Sequence, residues 1–123
     1  MLYTVDRELI EYIPHVADYE RWRRRLSDLE YEAIFQELNE RVNERMRRNG
    51  VVTSSWIPGA DWTGTVFQPI YENACNYDAD QAALCFGLIL WDVMMQREEA
   101  WSFGRYEKDG IEIRGLTYFR IEV

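Results

Sequence analysis

Residues 82–91 form an unbroken apolar run, Ala-Ala-Leu-Cys-Phe-Gly-Leu-Ile-Leu-Trp, which continues past Asp92 through Val93, Met94 and Met95. In a chain with a formal net charge of -8, such a stretch must be removed from water. It is shorter than the roughly 20 apolar residues that span a bilayer. It therefore predicts a core helix over residues 80–97, or one shared with a partner subunit. The polar strip of that helix, through Gln81, Asp92 and Gln96, is narrow, and a helix apolar nearly all round is buried on most sides. Gly87 at its middle costs about 1 kcal/mol relative to alanine. Close approach of a second backbone accounts for that cost. In a chain of 123 residues, burial on every side is easiest if a second copy supplies one of them, so the sequence predicts a homodimer.

A second long helix is predicted over residues 28–48. Ser27-Asp28-Leu29-Glu30 fits a capping box. Tyr31, Ile34, Phe35, Leu38, Val42 and Met46 then recur at helical spacing as one apolar stripe. Acids crowd the first half and arginines the second, which suits the helix dipole. Glu37 with Arg41 and Glu44 with Arg48 are i,i+4 pairs in the favourable order. Asn49-Gly50 is a stop. Shorter N-terminal helices are expected over residues 6–13, ended by Pro14, and over residues 18–25. Pro69 suits the first turn of another short helix reaching Cys75.

Strands are predicted at residues 51–57, 101–107 and 111–122, with Lys108-Asp109-Gly110 as the turn of a C-terminal hairpin. The loop of that hairpin can hold two, three or four residues. A two-residue loop opposes Glu107 to Glu112, whereas a four-residue loop places Arg105 opposite Glu112. Like charges directly opposite are destabilising, so the four-residue loop is the expectation. The whole chain, residues 1–123, thus reads as a single α+β domain. An antiparallel sheet of three or more strands packs against two long helices and shorter N-terminal ones.

Composition and motifs exclude more function than they name. The acidic balance repels nucleic acid and favours cationic partners. The basic cluster Arg21-Trp22-Arg23-Arg24-Arg25 is flanked by Asp18, Glu20, Asp28 and Glu30, and reads as a salt-bridged helix face. Residues 1–5 are too short for a signal peptide, and a cytoplasmic, membrane-free setting is expected. One histidine and two separated cysteines cannot make the usual zinc site, so no metal or other cofactor is predicted. His15 lacks a nucleophile-elbow partner and reads as a loop or helix-start residue. Asp78 and Asp80 read as helix caps. Cys85 reads as a small core residue; neither it nor Cys75 requires a disulfide.

Residues 56–77 hold the most suggestive chemistry. Trp56, Trp62, Phe67, Tyr71 and Tyr77 stand there with Asp61 and Glu72 among them. Aromatic faces attract cations and a carboxylate adds charge, a pattern suited to a cationic small molecule or a basic protein patch. The same rings can instead cover the sheet or form a subunit interface. The expected site is Trp56, Asp61, Trp62, Tyr71 and Tyr77 in a non-enzymatic binding or interaction protein. The alternative is a small α+β hydrolase or isomerase with Asp92 or Asp61 as acid–base. A buried Asp92 must otherwise be paired, and Arg97, Arg105 and Arg114 are its candidate partners if the hairpin folds over the helix, which makes a structural ion pair the favoured reading of that carboxylate. A third reading, an acidic mimic of nucleic acid, is disfavoured by the alternating charges of the first long helix.

Overall fold

Ser27 opens the longest helix as its sequence predicts. Its Oγ accepts from Glu30 N at 3.0 Å, while Glu30 Oε1 accepts from Ser27 N at 2.8 Å. The structure is a computed structural model that describes residues 1–53, 62–105, 107–108, 111–112 and 115–122, with the backbone alone at 107–108 and 111–112. Its elements in chain order are β1 (Leu2–Tyr3), β2 (Leu9–Ile10), α1 (Val16–Arg24), α2 (Asp28–Arg48) and β3 (Val51–Thr53). A π-helical turn (Ile70–Ala74) and α3 (Ala79–Gln96) follow, then β4 (Trp101–Gly104), β5 (Glu107–Lys108), β6 (Ile111–Glu112) and β7 (Thr117–Arg120).

Helix α2 buries Ile34, Leu38 and Val42 along one stripe, and Glu37–Arg41 and Glu44–Arg48 pair at 2.9 and 2.8 Å. Its end is closed by Gly50, whose φ of 69° suits glycine and whose N–H donates to Arg45 O at 2.9 Å. Helix α3 is capped by Asp78, which accepts from Gln81 N at 3.0 Å. Its apolar run is buried through Ala82, Cys85, Phe86, Ile89, Leu90, Trp91, Val93 and Met94. One strip faces outward: Leu84 is 60% exposed, and a Cβ built on Gly87 would meet nothing within 4 Å.

Residues 6–13 are not a helix. They belong to a hairpin in which Leu2 pairs with Ile10 and Tyr3 with Leu9. The turn is made by Thr4, whose N–H donates to Glu8 O at 2.9 Å and whose Oγ1 accepts from Glu8 N at 3.1 Å. A threonine that hydrogen-bonds nearby backbone in this way competes with helix, and Arg7 at φ 67° completes the reversal. Leu2 and Ile10 gain core burial as strand residues.

That hairpin also changes the sheet. The expected antiparallel sheet is mixed: the strand order is β2-β1-β4-β7-β3, and β1 runs parallel to β4 through Leu2 and Trp101. A parallel pair needs a long crossover; here the helices between β1 and β4 supply it. The Met1 carbonyl accepts from Trp101 N at 2.9 Å, and the Met1 nitrogen donates to the carbonyls of Met94, Arg97 and Glu99. Trp101, Tyr118, Val52 and Leu2 bury one face of the sheet. Phe103 on that face meets Trp91 of α3 edge-on at 4.8 Å, so the core lies between sheet and helices.

The C-terminal strands correct a second expectation. Glu107 pairs with Glu112 and Lys108 with Ile111, so the hairpin takes the two-residue register rather than placing Arg105 opposite Glu112. The 111–122 strand is also broken. Trp101 pairs with Arg120 and Phe103 with Tyr118, a register offset by two residues from that of the hairpin tip. The outgoing arm absorbs the offset next to Gly115, at φ 78°. The β4–β7 ladder is held by the buried Trp101 and Tyr118, with the half-buried Phe103 packed between Trp91 and Tyr118. Strand 51–57 is β3 at Val51–Thr53; its remainder and the Asp109-Gly110 part of the predicted turn lie outside the described residues.

Candidate functional site

Pro69, with φ -60°, leads into the π-helical turn, where Cys75 N donates to Ile70 O at 3.1 Å. A π turn places one more residue in the loop than an α turn, and such turns recur at functional sites. Asn76 and Tyr77 follow at φ 48° and 66°. For a ring-bearing residue this left-handed backbone is uncommon, with a cost of about 1–3 kcal/mol. The reversal is fixed by Tyr77 N donating to Tyr71 O at 2.8 Å. It sets the Tyr71 and Tyr77 rings 5.4 Å apart at 86°, forming an aromatic corner. Tyr77 is 65% exposed and Tyr71 half-buried, so the corner opens to solvent. Asp78 and Asp80, both exposed, come next in the chain, and Glu72 is held by Gln68 Nε2 at 2.8 Å.

Trp62 does a different job. Its ring packs 5.8 Å from Phe86 and 6.2 Å from Phe67, as cover for the core over α3. Its indole N–H is buried and has no hydrogen-bond partner among the described residues. Of the five site residues expected from sequence, Tyr71 and Tyr77 are thus brought together and Trp62 sits against the core. Trp56 and Asp61 lie outside the described residues.

No family model, curated protein or solved structure matches this chain. The site must therefore be argued from its own geometry.

Asp92 is the other place where chemistry gathers. Tyr31 donates to Asp92 Oδ2 at 2.6 Å, Tyr19 to the same oxygen at 3.1 Å, and Gln96 Nε2 to Oδ1 at 2.8 Å. The two phenol oxygens lie 2.5 Å apart. Burial pushes the Tyr19 phenol up to about 12. Burial and the bond to Asp92 raise Tyr31 as well. Both phenols are therefore donors at neutral pH, and the carboxylate is held by three helices at once. Arg23 stacks 3.9 Å from the Tyr31 ring centroid. Sequence reasoning missed the tyrosines and looked to arginines. Arg97 instead donates to Glu99, Asn39 and Asn43; Arg105 is exposed beyond β4, and Arg114 lies outside the described residues. The missed signal was Tyr31 on the apolar stripe of α2: a phenol there brings a hydroxyl that needs a partner.

The remaining candidates take structural places. His15, at φ 52°, precedes α1 and is exposed, with no side-chain cap bond. Arg21 pairs with Asp18 at 3.0 Å and Arg23 with Asp28 at 3.1 Å, the salt-bridged face the cluster predicts. Among the described residues no group of three or more metal-ligating side chains converges, and no helix is long and apolar enough to cross a membrane.

Proposed function

We propose that this chain is a small binding module rather than an enzyme, and that the Tyr71–Tyr77 corner takes a cationic organic group or a basic protein patch. One observation carries the reading. An exposed tyrosine is held in a costly backbone conformation at right angles to a second ring. Two perpendicular faces give a cation two negative surfaces, each contact contributing about 0.5–1 kcal/mol when exposed. The net charge of -8 favours approach of a cation.

The acid–base alternative through Asp92 has less support. Both of its oxygens already accept hydrogen bonds from protein donors. A homodimer remains part of the proposal. Leu84 and Gly87 leave an apolar, open strip on α3 across which a second copy can pack about a two-fold axis. The free, buried thiols of Cys75 and Cys85 suit a reducing, cytoplasmic setting.

The test uses tetramethylammonium and a lysine-rich peptide as probes, with chemical shifts of the Tyr71 and Tyr77 rings as the readout. Saturable shifts confined to those rings are expected, weakened several-fold in Tyr77→Ala. Equal binding by wild type and Tyr77→Ala removes the site.

A further inference from the structure

Ser102 pairs with Phe119, one step along β4 from Trp101 and Phe103, whose rings lie on the helix side of the sheet. Ser102 and Phe119 therefore stand on the opposite face. The β1–β2 turn bends over that face. Arg7 reaches from the turn to the far end of the sheet and donates from Nη1 to the carbonyl of Glu122. Between turn and sheet lies a cavity of about 190 Å³, lined by Thr4, Val5, Arg7, Ser102, Phe119 and Ile121. Val5 and Arg7 are exposed, so the cavity opens to solvent at the turn. Ser102 is 2% exposed and forms the floor.

The two ends of this cavity are polar and its walls are not. Ser102 Oγ is buried and has no hydrogen-bond partner among the described residues. Buried hydroxyls are ordinarily paired, and this one is placed where an entering group can pair it. Arg7 carries a positive charge at the mouth, and no carboxylate lies within ion-pair distance of it among the described residues. The bond to Glu122 uses one guanidinium nitrogen and leaves the others as donors. Arg7 also holds φ at 67°. A turn alone favours glycine or asparagine in that backbone conformation; arginine adds a cation over the cavity. Val5, Phe119 and Ile121 supply apolar surface between mouth and floor.

We propose that this cavity binds a small hydroxylated carboxylic acid whose apolar body is about one ring in size. The carboxylate meets Arg7, for which a planar, doubly accepting partner is the best match. The body packs against Phe119 and Ile121, and the hydroxyl pairs with Ser102 Oγ. Sites for drug-sized molecules run to about 300–1,000 Å³, so this one selects a smaller ligand. The charge preference is opposite to that of the Tyr71–Tyr77 corner, and the proposal stands independently of the cation-binding reading.

The test titrates the intact chain with para-hydroxybenzoate, benzoate and para-hydroxybenzamide, followed by nuclear magnetic resonance. Saturable shifts are expected at Ser102 and Phe119, with Overhauser contacts from the ligand ring to Phe119 and Ile121. Para-hydroxybenzoate should bind several-fold more tightly than benzoate, which lacks the hydroxyl. It should bind about tenfold more tightly than the amide, which lacks the charge. Ser102→Ala should erase the first preference and keep the second. Arg7→Gln should erase the second and keep the first, while Arg7→Lys restores part of it. Circular dichroism checks the fold of each variant. If a variant does not fold, salt decides for wild type, because added sodium chloride should weaken the two acids and spare the amide. No saturable shift at Ser102 and Phe119, equal binding of the three probes, or preferences unchanged in folded Ser102→Ala and Arg7→Gln would overturn the proposal.

Discussion

Tyr31 of α2 gives its phenolic proton to Asp92 of α3 across 2.6 Å, and Tyr19 of α1 joins the same oxygen. A carboxylate within an apolar helix has one acceptable fate beyond the surface, which is to be hydrogen-bonded. Here it becomes the tie among three helices. Tyr31→Phe is expected to destabilise the fold by about 1.5–3 kcal/mol, the range for a hydrogen bond to a charged group. Tyr19→Phe should cost less, because Tyr31 still serves Asp92. Urea denaturation of both variants and of the double variant measures the terms and their coupling. A Tyr31→Phe protein within 0.5 kcal/mol of wild type, on the order of the effect of an ordinary surface substitution, would deny the tie its role.

The same cluster sets an alkaline limit. Tyr19 is raised from 10 to about 12, chiefly by burial, and Tyr31 and Tyr118 are raised for the same leading reason. The folded state thus holds protons that the unfolded state releases. The stabilisation is complete below the unfolded pKa near 10 and is lost as pH rises toward and through the folded values. Each such phenol steepens the loss by about 1.4 kcal/mol per pH unit. Phenolate absorbance should therefore titrate in two groups, the second coinciding with loss of the circular dichroism signal. A single smooth titration of all eight tyrosines with the fold intact would contradict this.

At the acid end the governing pair is Arg97 and Glu99. The Arg97 side chain is 10% exposed and donates to Glu99 as well as to Asn39 Oδ1 at 3.0 Å and Asn43 Oδ1 at 2.6 Å. Burial pushes the Glu99 carboxyl up, but bonds from Arg97, its own backbone and Trp101 outweigh it and leave it below its ordinary 4.5. A depressed carboxylate contributes stability above its unfolded pKa and loses it as pH falls through the folded value. Stability should fall below about pH 4.5 in wild type, and Glu99→Gln should flatten that fall. Arg97→Ala should cost about 3 kcal/mol at neutral pH by leaving the carboxylate unpaired. Denaturant midpoints measured across the acid range decide both.

The helices were legible because their signals are local and agree with one another. Ser27 with Glu30, the stripe from Tyr31 to Met46 and the Asn49-Gly50 stop all point to one element. The elements that were misread depend on distant partners. Residues 6–13 hold Leu9, Ile10 and Ile13, enough for a short helix; only the pairing of Ile10 with Leu2, and of Leu2 with Trp101, makes them part of a sheet. Nothing local announces a parallel neighbour. Charges at the tip bear only on the tip: β4 and β7 pair Phe103 with Tyr118 in a register two residues away from that of Glu107 and Glu112, so no single cross-strand pair sets both ladders. At the site, the aromatic content of 56–77 was visible. The perpendicular setting of Tyr71 and Tyr77 arises from a π turn and two left-handed residues, and no spacing rule marks those.

Gly87 separates the subunit's needs from those of an assembly. Inside one chain nothing requires it: a Cβ there would meet no atom within 4 Å, and its neighbour Leu84 is 60% exposed. A glycine at a mid-helix position costs about 1 kcal/mol relative to alanine. Gly87→Ala should therefore raise the stability of the isolated chain by about that amount, read from denaturation at low protein concentration. If a second α3 approaches across this strip, the added methyl separates the backbones, and the same variant should self-associate less. Leu84→Glu should abolish association outright while leaving the monomer folded, since the new charge meets only water. Light scattering across a concentration series resolves the two effects. Wild type that stays monomeric at every concentration, with Gly87→Ala merely more stable, would show that the glycine serves no partner of its own kind.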